Sequence, residues 1–138
     1  MKKREPVELK VKDLRPSSKW FTVKVKILNM GDEKNVFSRD GSQHRVAEAL
    51  VGDETGSILL TLWDNDIDKV RGLIGSTVAV KNGYIVLFRG SMRLALGRFG
   101  SLEEVDEEIT DVNEELNMSE KMYSQRGSFR SRRPRGEF

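Results

Sequence analysis

The sequence predicts an all-β domain, a small five-stranded Greek-key barrel with one short helix between its third and fourth strands. Three features support this prediction. Apolar and polar residues alternate along short segments, as they do in strands that bury one face. Glycine-rich turns separate these segments from one another. A single short stretch, directly after the third segment, has the start and stop residues of a helix.

The first clear strand spans Trp20 to Leu28 and follows a lead-in over residues 7–14. Its apolar face consists of Phe21, Val23, Val25 and Ile27. Its other face carries Thr22, Lys24 and Lys26. A polar connection over residues 29–43 comes next, and it contains the hairpin-turn signal Asp40-Gly41. The second strand spans His44 to Val51, and its predicted inward residues are Ala47, Ala49 and Val51.

The third strand follows a tight turn over residues 52–56 and ends at Trp63. Its aliphatic face consists of Ile58, Leu60 and Leu62. Because this face is suited to the core, we expect Trp63 to point outward. Asp64-Asn65-Asp66 then offers an N-cap for a short helix over residues 67–71, which Gly72 ends. The apolar side of this helix is expected to plug one end of the barrel.

The fourth strand spans residues 77–89 and is interrupted by Asn82-Gly83. A β-bulge at this point reverses the register, which leaves Tyr84 and Phe88 facing outward. The fifth strand points Arg93 outward, and its predicted inward residues are Met92, Leu94 and Leu96. Five strands with a helix in this place have the element order of an OB-fold.

The composition excludes several classes of protein. The chain has 138 residues, one His and no Cys. The absence of Cys excludes disulfides and Cys-ligated zinc, and a single His leaves no metal cluster and no catalytic relay. No glycine-rich phosphate loop occurs. We therefore expect no enzyme activity, no cofactor and no metal site. We also expect a soluble intracellular protein, because no apolar run reaches membrane-spanning length and no signal peptide is present.

The net charge of +2 averages three unlike segments. Residues 1–100 carry 18 basic and 12 acidic side chains, residues 101–122 carry 1 and 9, and residues 123–138 carry 5 and 1. We predict a barrel domain over 1–106, an acidic segment over 107–122 that is an amphipathic helix or an extended wrap, and a flexible, disordered basic tail. The acidic residues are expected to compete with a polyanion for the basic barrel, or else to pair with the tail.

A sheet surface with exposed aromatic and cationic side chains suits single-stranded nucleic acid, because unpaired bases stack on rings while Lys and Arg neutralise phosphates. The predicted stacking residues are Trp63, Tyr84 and Phe88. The predicted phosphate contacts are Lys24, Lys26, Lys34, Arg39, Lys81, Arg89, Arg93 and Arg98. Trp63 is the strongest candidate, since the aliphatic face of its strand already fills the core.

The segment from Ala47 to Trp63 contains a D-x-T-G hairpin, Asp53 to Gly56, followed at a fixed distance by the Trp. This segment resembles the second-to-third-strand signature of archaeal single-stranded-DNA-binding proteins. A looser form of it occurs in replication protein A and in human single-OB-fold DNA-damage-response proteins. The resemblance covers residues 7–106, and its other matching stretches are 11–16, 81–84, 88–90 and 97–98.

The resemblance implies that Trp63, Tyr84 and Phe88 occupy the family's three base-stacking positions. It places Lys34 and Arg89, with Lys81, near the family's backbone-contacting cations. It also implies that the basic tail recruits replication or repair proteins. We expect a monomeric, cytoplasmic, nucleoid-associated protein that binds single-stranded DNA with little sequence preference in replication, recombination and repair. Two alternatives stay open: a single-stranded-RNA-binding protein, and a protein-interaction adaptor.

Overall fold

The computed structural model describes residues 7–120, without the side chains of residues 97–99. The predicted basic tail over 123–138 therefore lies outside the described residues. In chain order the elements are β1 (Val7–Glu8), a 3₁₀ turn (Val11–Asp13), β2 (Lys19–Met30), β3 (Lys34–Phe37), β4 (Gln43–Asp53), β5 (Gly56–Trp63), α1 (Asn65–Arg71), β6 (Thr77–Phe88) and β7 (Ser91–Glu104).

Five of these strands close into a barrel. The order across the sheet is β1-β2-β6-β7-β5-β4-β3, and an additional pairing of β2 with β4 joins the two sides. Parallel pairing of β5 with β7 completes the circuit. The helix α1 lies between the third and fourth barrel strands. The predicted all-β fold, an OB-fold barrel with one short helix, is confirmed.

The alternation of apolar residues defines the core as the sequence predicts. The buried side chains include Phe21, Val23, Val25, Ile27, Ala47, Ala49, Val51, Ile58, Leu60 and Leu62. Each large apolar side chain buried in this way contributes about 1.5–3 kcal/mol to stability. Ile67 and Val70 of α1 belong to the same cluster, so the helix covers part of the barrel interior. The residues on the outer faces of the strands are not part of this core, so they are available to contact a ligand.

The predicted bulge at Asn82-Gly83 is present. The register of β6 against β7 shifts between Lys81 and Gly83, and Asn82 has φ 53°. Beyond the shift Ile85 is buried, whereas Phe88 is exposed. A side chain at Gly83 would lie 3.2 Å from Val80 Cγ1 and 3.3 Å from a Phe21 ring carbon, which explains the glycine at this close approach.

The predicted polar connection over 29–43 contains a strand that its composition did not indicate. β3 pairs with β4 in antiparallel register, from Lys34 opposite Val46 to Phe37 opposite Gln43. The Asp40-Gly41 turn is where the sequence placed it, with Gly41 at φ 88°. Three of the four β3 residues are exposed. Without one buried face, the strand lacks the alternation by which strands are recognised.

Asp64 does not cap α1 with its side chain, contrary to the prediction. The helix begins at Asn65, and Asp64 occupies the N-cap position without a side-chain capping bond. Its carboxylate instead accepts hydrogen bonds from the Arg45 backbone N–H and from His44 Nδ1, both at 3.0 Å. The Asp64 carboxylate therefore bonds to β4, whereas the sequence predicted that it would cap the helix.

Residues 105–120, here called the strap, form no helix and lie along the barrel, with turns at residues 114–115 and 118–120. The strap passes the β4–β5 turn, where the Asn113 N–H donates to the Asp53 carbonyl at 3.0 Å. It then follows β5, where the Met118 N–H donates to the Ser57 carbonyl at 2.7 Å. It reaches β7 where the Ser119 hydroxyl donates to the Met92 carbonyl at 2.6 Å.

Candidate nucleic-acid interface

Trp63 lies at the end of β5 with 48% of its surface exposed. Its register partner on β4 is Val46, which is also the partner of Lys34 on β3. Because neighbouring strands are about 4.8 Å apart, Lys34 lies two strands, or about 10 Å, from Trp63. Lys34 is exposed, and among residues 7–120 no carboxylate forms an ion pair with it. Trp63 and Lys34, which has no ion-pair partner within the described residues, therefore lie in one row of register partners across the sheet.

The backbone that follows Trp63 is held in place by Asp64. This residue has φ 53°, in the left-handed region, and its N–H donates to the Arg45 carbonyl at 2.9 Å. The hydrogen bonds from the Arg45 backbone N–H and from His44 hold the pKa of the Asp64 carboxyl below its usual value. The position of Trp63 is thus fixed before any ligand binds, which lowers the entropic cost of binding.

Phe88 lies at the turn from β6 to β7 and is 54% exposed. Arg89 and Gly90 have φ 53° and 85°, so both central residues of the turn are left-handed, as in a type I′ hairpin. The guanidinium carbon of Arg89 lies 5.3 Å from the centre of the Phe88 ring, and that of Arg93 lies 5.6 Å from it. Both distances are within the range of a cation–π contact.

Arg93 connects Phe88 to the strand that pairs with the Trp63 strand. Its Nε donates to Glu48 of β4 at 2.6 Å, and it also donates to the Ser91 hydroxyl. Glu48 is the register partner of Thr61, two residues before Trp63 on β5. The ion pair therefore links the Phe88 ring to the β4 strand on the outer face that also carries Trp63. Arg93 already has an anionic partner, which a phosphate would have to displace.

Tyr84 is half-buried and lies on β6 between Ala95 of β7 and Lys19 of β2. It is less accessible than Trp63 or Phe88. Of the three predicted stacking residues, two are freely exposed and one presents only part of its surface.

Two predicted phosphate contacts are neutralised within the protein. The Lys24 ammonium lies 2.5 Å from Glu107 of the strap and 3.6 Å from Glu8, and Lys81 lies 3.0 Å from Glu103. The hydrogen bond with Glu107 raises the pKa of Lys24 above its usual value. Exposed ion pairs of this kind contribute little to stability. They do reduce the positive potential that these lysines offer to a phosphate.

The remaining predicted phosphate contacts, Lys26, Arg39 and Arg98, lie in different parts of the molecule. Lys26 pairs with Gly52, six residues along β4 from Val46, so it lies about 20 Å along the strands from the Trp63 row. Arg39 is exposed at the tip of the β3–β4 hairpin. The side chain of Arg98 lies outside the described residues. Lys34 thus lies in the row of Trp63, and Arg89 and Arg93 lie against the Phe88 ring, whereas Lys24 and Lys81 are already paired with carboxylates.

The sequence prediction overlooked Trp20, which is 55% exposed and has φ 59°. It also overlooked Lys19, the register partner of Tyr84. The alternation along the first strand contained a signal, because it assigns Trp20 to the outward face. Glu48 was overlooked as well. Its ion pair with Arg93 joins two strands far apart in the chain, so no local sequence pattern predicts it.

A cavity of about 340 Å³ lies between the strap, β1, the middle of β2, the β4–β5 turn and the start of β6. Its lining carries the carboxylates Glu8, Glu54, Glu107, Glu108 and Asp111, and the ammonium groups of Lys10 and Lys24. The excess of carboxylates makes this cavity unsuited to a polyanion. Within residues 7–120 there is no group of three or more His, Asp or Glu side chains placed to hold a metal ion. No described helix is long and apolar enough to cross a membrane.

Comparison with known proteins assigns the family. Residues 14–104 match the family described as single-stranded DNA binding protein Ssb-like, OB fold. The chain belongs to this family. The expected membership of an OB-fold single-stranded-DNA-binding family is confirmed, and the match covers all five barrel strands of this Ssb-like chain. The family is one of nucleic-acid-binding proteins, and no enzyme family is indicated.

Three proteins illustrate the relationship. The single-stranded DNA binding protein Ssb of Saccharolobus solfataricus is 29% identical over 102 residues, which span 74% of this chain and 67% of the relative. The solution structure of hypothetical protein F20O9.120 of Arabidopsis thaliana is 32% identical, with a TM-score of 0.70 over 94% of each chain. The second OB-fold domain of replication protein A from Methanococcus maripaludis is 18% identical, with a TM-score of 0.56 over 75% of this chain and 100% of that domain. The last likeness is one of fold.

Proposed function

We propose that this protein binds single-stranded DNA with little sequence preference, by stacking bases on Trp63, Phe88 and the accessible part of Tyr84. Phosphates are contacted by cations around these rings, namely Lys34, Arg39, Arg89 and Arg93. The observation that carries the proposal is one outer face with two half-exposed aromatic rings, and with Arg89 and Arg93 against the Phe88 ring, in a chain of the Ssb-like family. Neither binding mode reads base edges, so sequence preference is expected to be weak.

The rings are suited to stacking because rigid elements hold them. Each stacked base contributes about 1–3 kcal/mol to binding. Trp63 follows a strand whose inner face is fully buried, and Phe88 precedes a two-residue hairpin turn. Little side-chain or backbone freedom is therefore lost when a base binds. Two such contacts and a few phosphate contacts are enough for a stable complex with a short strand.

The proposal is tested by replacing both exposed rings, Trp63→Ala with Phe88→Ala. We expect the double variant to lose at least about 30-fold in affinity for oligo-dT, since two stacking contacts of 1 kcal/mol or more are removed. The measurement is fluorescence anisotropy of end-labelled oligo-dT at two salt concentrations. Ile74→Ala, which removes an exposed apolar side chain outside this face, is the control. Unchanged affinity in a folded double variant would show that the rings do not stack on bases.

We propose DNA rather than RNA as the ligand because the chain belongs to the Ssb-like family and is similar to the single-stranded DNA binding protein Ssb of Saccharolobus solfataricus. Stacking by itself does not distinguish the two sugars. Competition of unlabelled oligo-dT and oligo-U for the labelled complex measures the preference directly. An adaptor that uses its barrel only for protein contacts would show no competition by either strand.

The biological role that follows is protection of exposed DNA strands during replication, recombination and repair. The basic residues 123–138 are proposed to recruit protein partners for these processes. A co-purification experiment with and without these residues tests that assignment, and equal recovery of replication and repair proteins by both chains would contradict it.

A further inference from the structure

We infer that Trp20 and Lys19 form an additional subsite for single-stranded nucleic acid, which takes a base and a phosphate next to Tyr84. This inference rests on the proposed function and extends its binding face from β5, β7 and β6 onto β2. Exposure of Trp20 alone would not support it, because single exposed apolar side chains are common on protein surfaces. Three further observations point to a ligand.

The first observation is the backbone at Trp20. Lys19 is the register partner of Tyr84 and Phe21 that of Gly83, so Trp20 is the extra residue of a β-bulge. Its φ of 59° lies in the left-handed region, where such bulges usually have Gly. A bulky residue in this conformation is a genuine outlier, and strained residues of this kind cluster at binding sites. The strain is maintained while the large ring remains 55% exposed.

The second observation is a pattern shared with the proposed stacking residues. Within residues 7–120, the other non-glycine residues with positive φ are Asp64, Asn82 and Arg89. Asp64 follows Trp63, Asn82 lies two residues before Tyr84, and Arg89 follows Phe88. Each of them therefore fixes the backbone beside an aromatic ring of the proposed face. Trp20 is the fourth non-glycine residue with positive φ, and here the strained residue is the aromatic residue itself.

The third observation is the charge between Trp20 and Tyr84. Register partners on antiparallel strands have Cα atoms about 4.5–5.5 Å apart, so Lys19 and Tyr84 are direct neighbours. Lys19 is exposed, and among the described residues no carboxylate pairs with it. Lys24 on the same strand is neutralised by Glu107. An uncompensated cation beside two aromatic residues is the combination that single strands recognise.

The position of the subsite predicts a dependence on strand length. Across the sheet, β5 carries Trp63, and β7, β6 and β2 follow in that order. Trp20 therefore lies three strands across the sheet from Trp63. OB-folds bind about 4–16 nucleotides. A strand near the lower end of this range can bind to other rings of the face without Trp20, whereas one of about 12 nucleotides can contact Trp20 as well.

The chain offers a clean optical test, because Trp20 and Trp63 are its two tryptophans. Trp63→Phe leaves Trp20 as the single emitter, and Trp20→Phe leaves Trp63. We expect oligo-dT of about 12 nucleotides to quench the emission of both variants. In the wild-type background, Trp20→Gly is expected to lower affinity for this strand about tenfold and for one of about 4 nucleotides less than twofold. Glycine accepts the positive φ, so this variant removes the ring and keeps the backbone conformation.

The outcomes separate this inference from the proposed function. Quenching of Trp63 without quenching of Trp20 would overturn the additional subsite and leave the proposed function intact. Unchanged affinity of the folded Trp20→Gly variant for the longer strand would overturn it as well. Failure of both tryptophans to respond would overturn the proposed function and the subsite together. Lys19→Ala is expected to lower the magnitude of the salt slope of binding by about 0.7, the value for one phosphate on a single strand.

Discussion

Arg93 has the largest influence on the electrostatics of the proposed binding face. Its guanidinium contacts the Phe88 ring on one side and Glu48 on the other, and only 13% of the side chain is exposed. In the free protein this ion pair gives the centre of the face little net charge. It also orients Arg93 before DNA arrives. A phosphate that binds Arg93 competes with Glu48, so part of the Coulomb gain is offset.

Glu48→Gln is therefore expected to strengthen binding of oligo-dT about threefold to tenfold at low salt. The substitution removes a carboxylate from the face and frees Arg93 for a phosphate, while the amide keeps the size of the side chain. Titration of labelled oligo-dT at low and high salt checks this, and the gain should shrink as salt rises. Glu54→Gln, at a carboxylate paired with Lys10 on the β4–β5 turn, is the matched control. Weaker binding by Glu48→Gln would mean that Glu48 serves to position Arg93 for DNA.

At the scale of elements, the β4–β5 turn holds three segments together through Asp53. One carboxylate oxygen accepts the Thr55 N–H at 2.8 Å and its hydroxyl at 2.6 Å, and the other accepts the Val11 N–H at 3.0 Å. The Asp53 carbonyl binds Asn113 of the strap. The D-x-T-G pattern that carried the family resemblance thus also has a structural role. It ties the 3₁₀ turn and the strap to the barrel.

Asp53→Ala is expected to destabilise the fold by about 3 kcal/mol, because the buried or part-buried N–H groups of Val11, Thr55 and Gly56 lose their carboxylate acceptor. Urea denaturation followed by circular dichroism measures the change. Glu54→Ala is the neighbouring control, and it should cost less than about 1 kcal/mol because it removes only an exposed ion pair. Equal effects of the two substitutions would contradict the role given to Asp53.

The described part of the acidic segment, residues 107–120, belongs to the strap, which is bound to the barrel. It is bonded to β5 and β7 through Met118 and Ser119. Glu107 of the strap is engaged with Lys24, and Glu103 of β7 with Lys81. These carboxylates therefore neutralise two of the lysines that were predicted to contact phosphates. Competition of the acidic segment with DNA stays a prediction. A truncation within the strap would test it poorly, because such a truncation also removes barrel contacts.

For the whole molecule, the charge distribution predicts which cations affect the salt dependence of binding. The slope of log affinity against log salt changes by about 0.7 per phosphate contact on a single strand. Arg89→Ala is expected to reduce the magnitude of the slope by about this amount, because Arg89 lies at the face beside Phe88. Lys81→Ala should change it much less, since Glu103 already neutralises Lys81. Titrations at four or more salt concentrations compare the two, and equal slope changes would contradict the neutralisation of Lys81 by Glu103.

The sequence predicted the barrel well because its signals are local. Period-two alternation assigned the inner faces of β2, β4 and β5, and the outward direction of Trp63 followed from the aliphatic residues beside it. The bulge at Asn82-Gly83 was predicted from a change of parity within one strand. The strand β3 was missed since both of its faces are solvated. The alternation of β2 assigns Trp20 to the outward face, but its place beside Tyr84 depends on a bulge with a non-glycine residue at positive φ, which leaves no sequence signature.

By itself, the sequence determined the all-β barrel, the place of the helix and the outward direction of Trp63 and Phe88, because these follow from residue spacing along single strands. The family followed from the resemblance of residues 47–63 to the signature of a known family. Only the tertiary structure decided which cations are free, since Arg93 meets Glu48 from another strand and Lys24 meets Glu107 from the strap. It also decided that Trp20 and Lys19 lie beside Tyr84. These pairings depend on strand register and barrel closure, which join residues far apart in the chain, so no local pattern contains them.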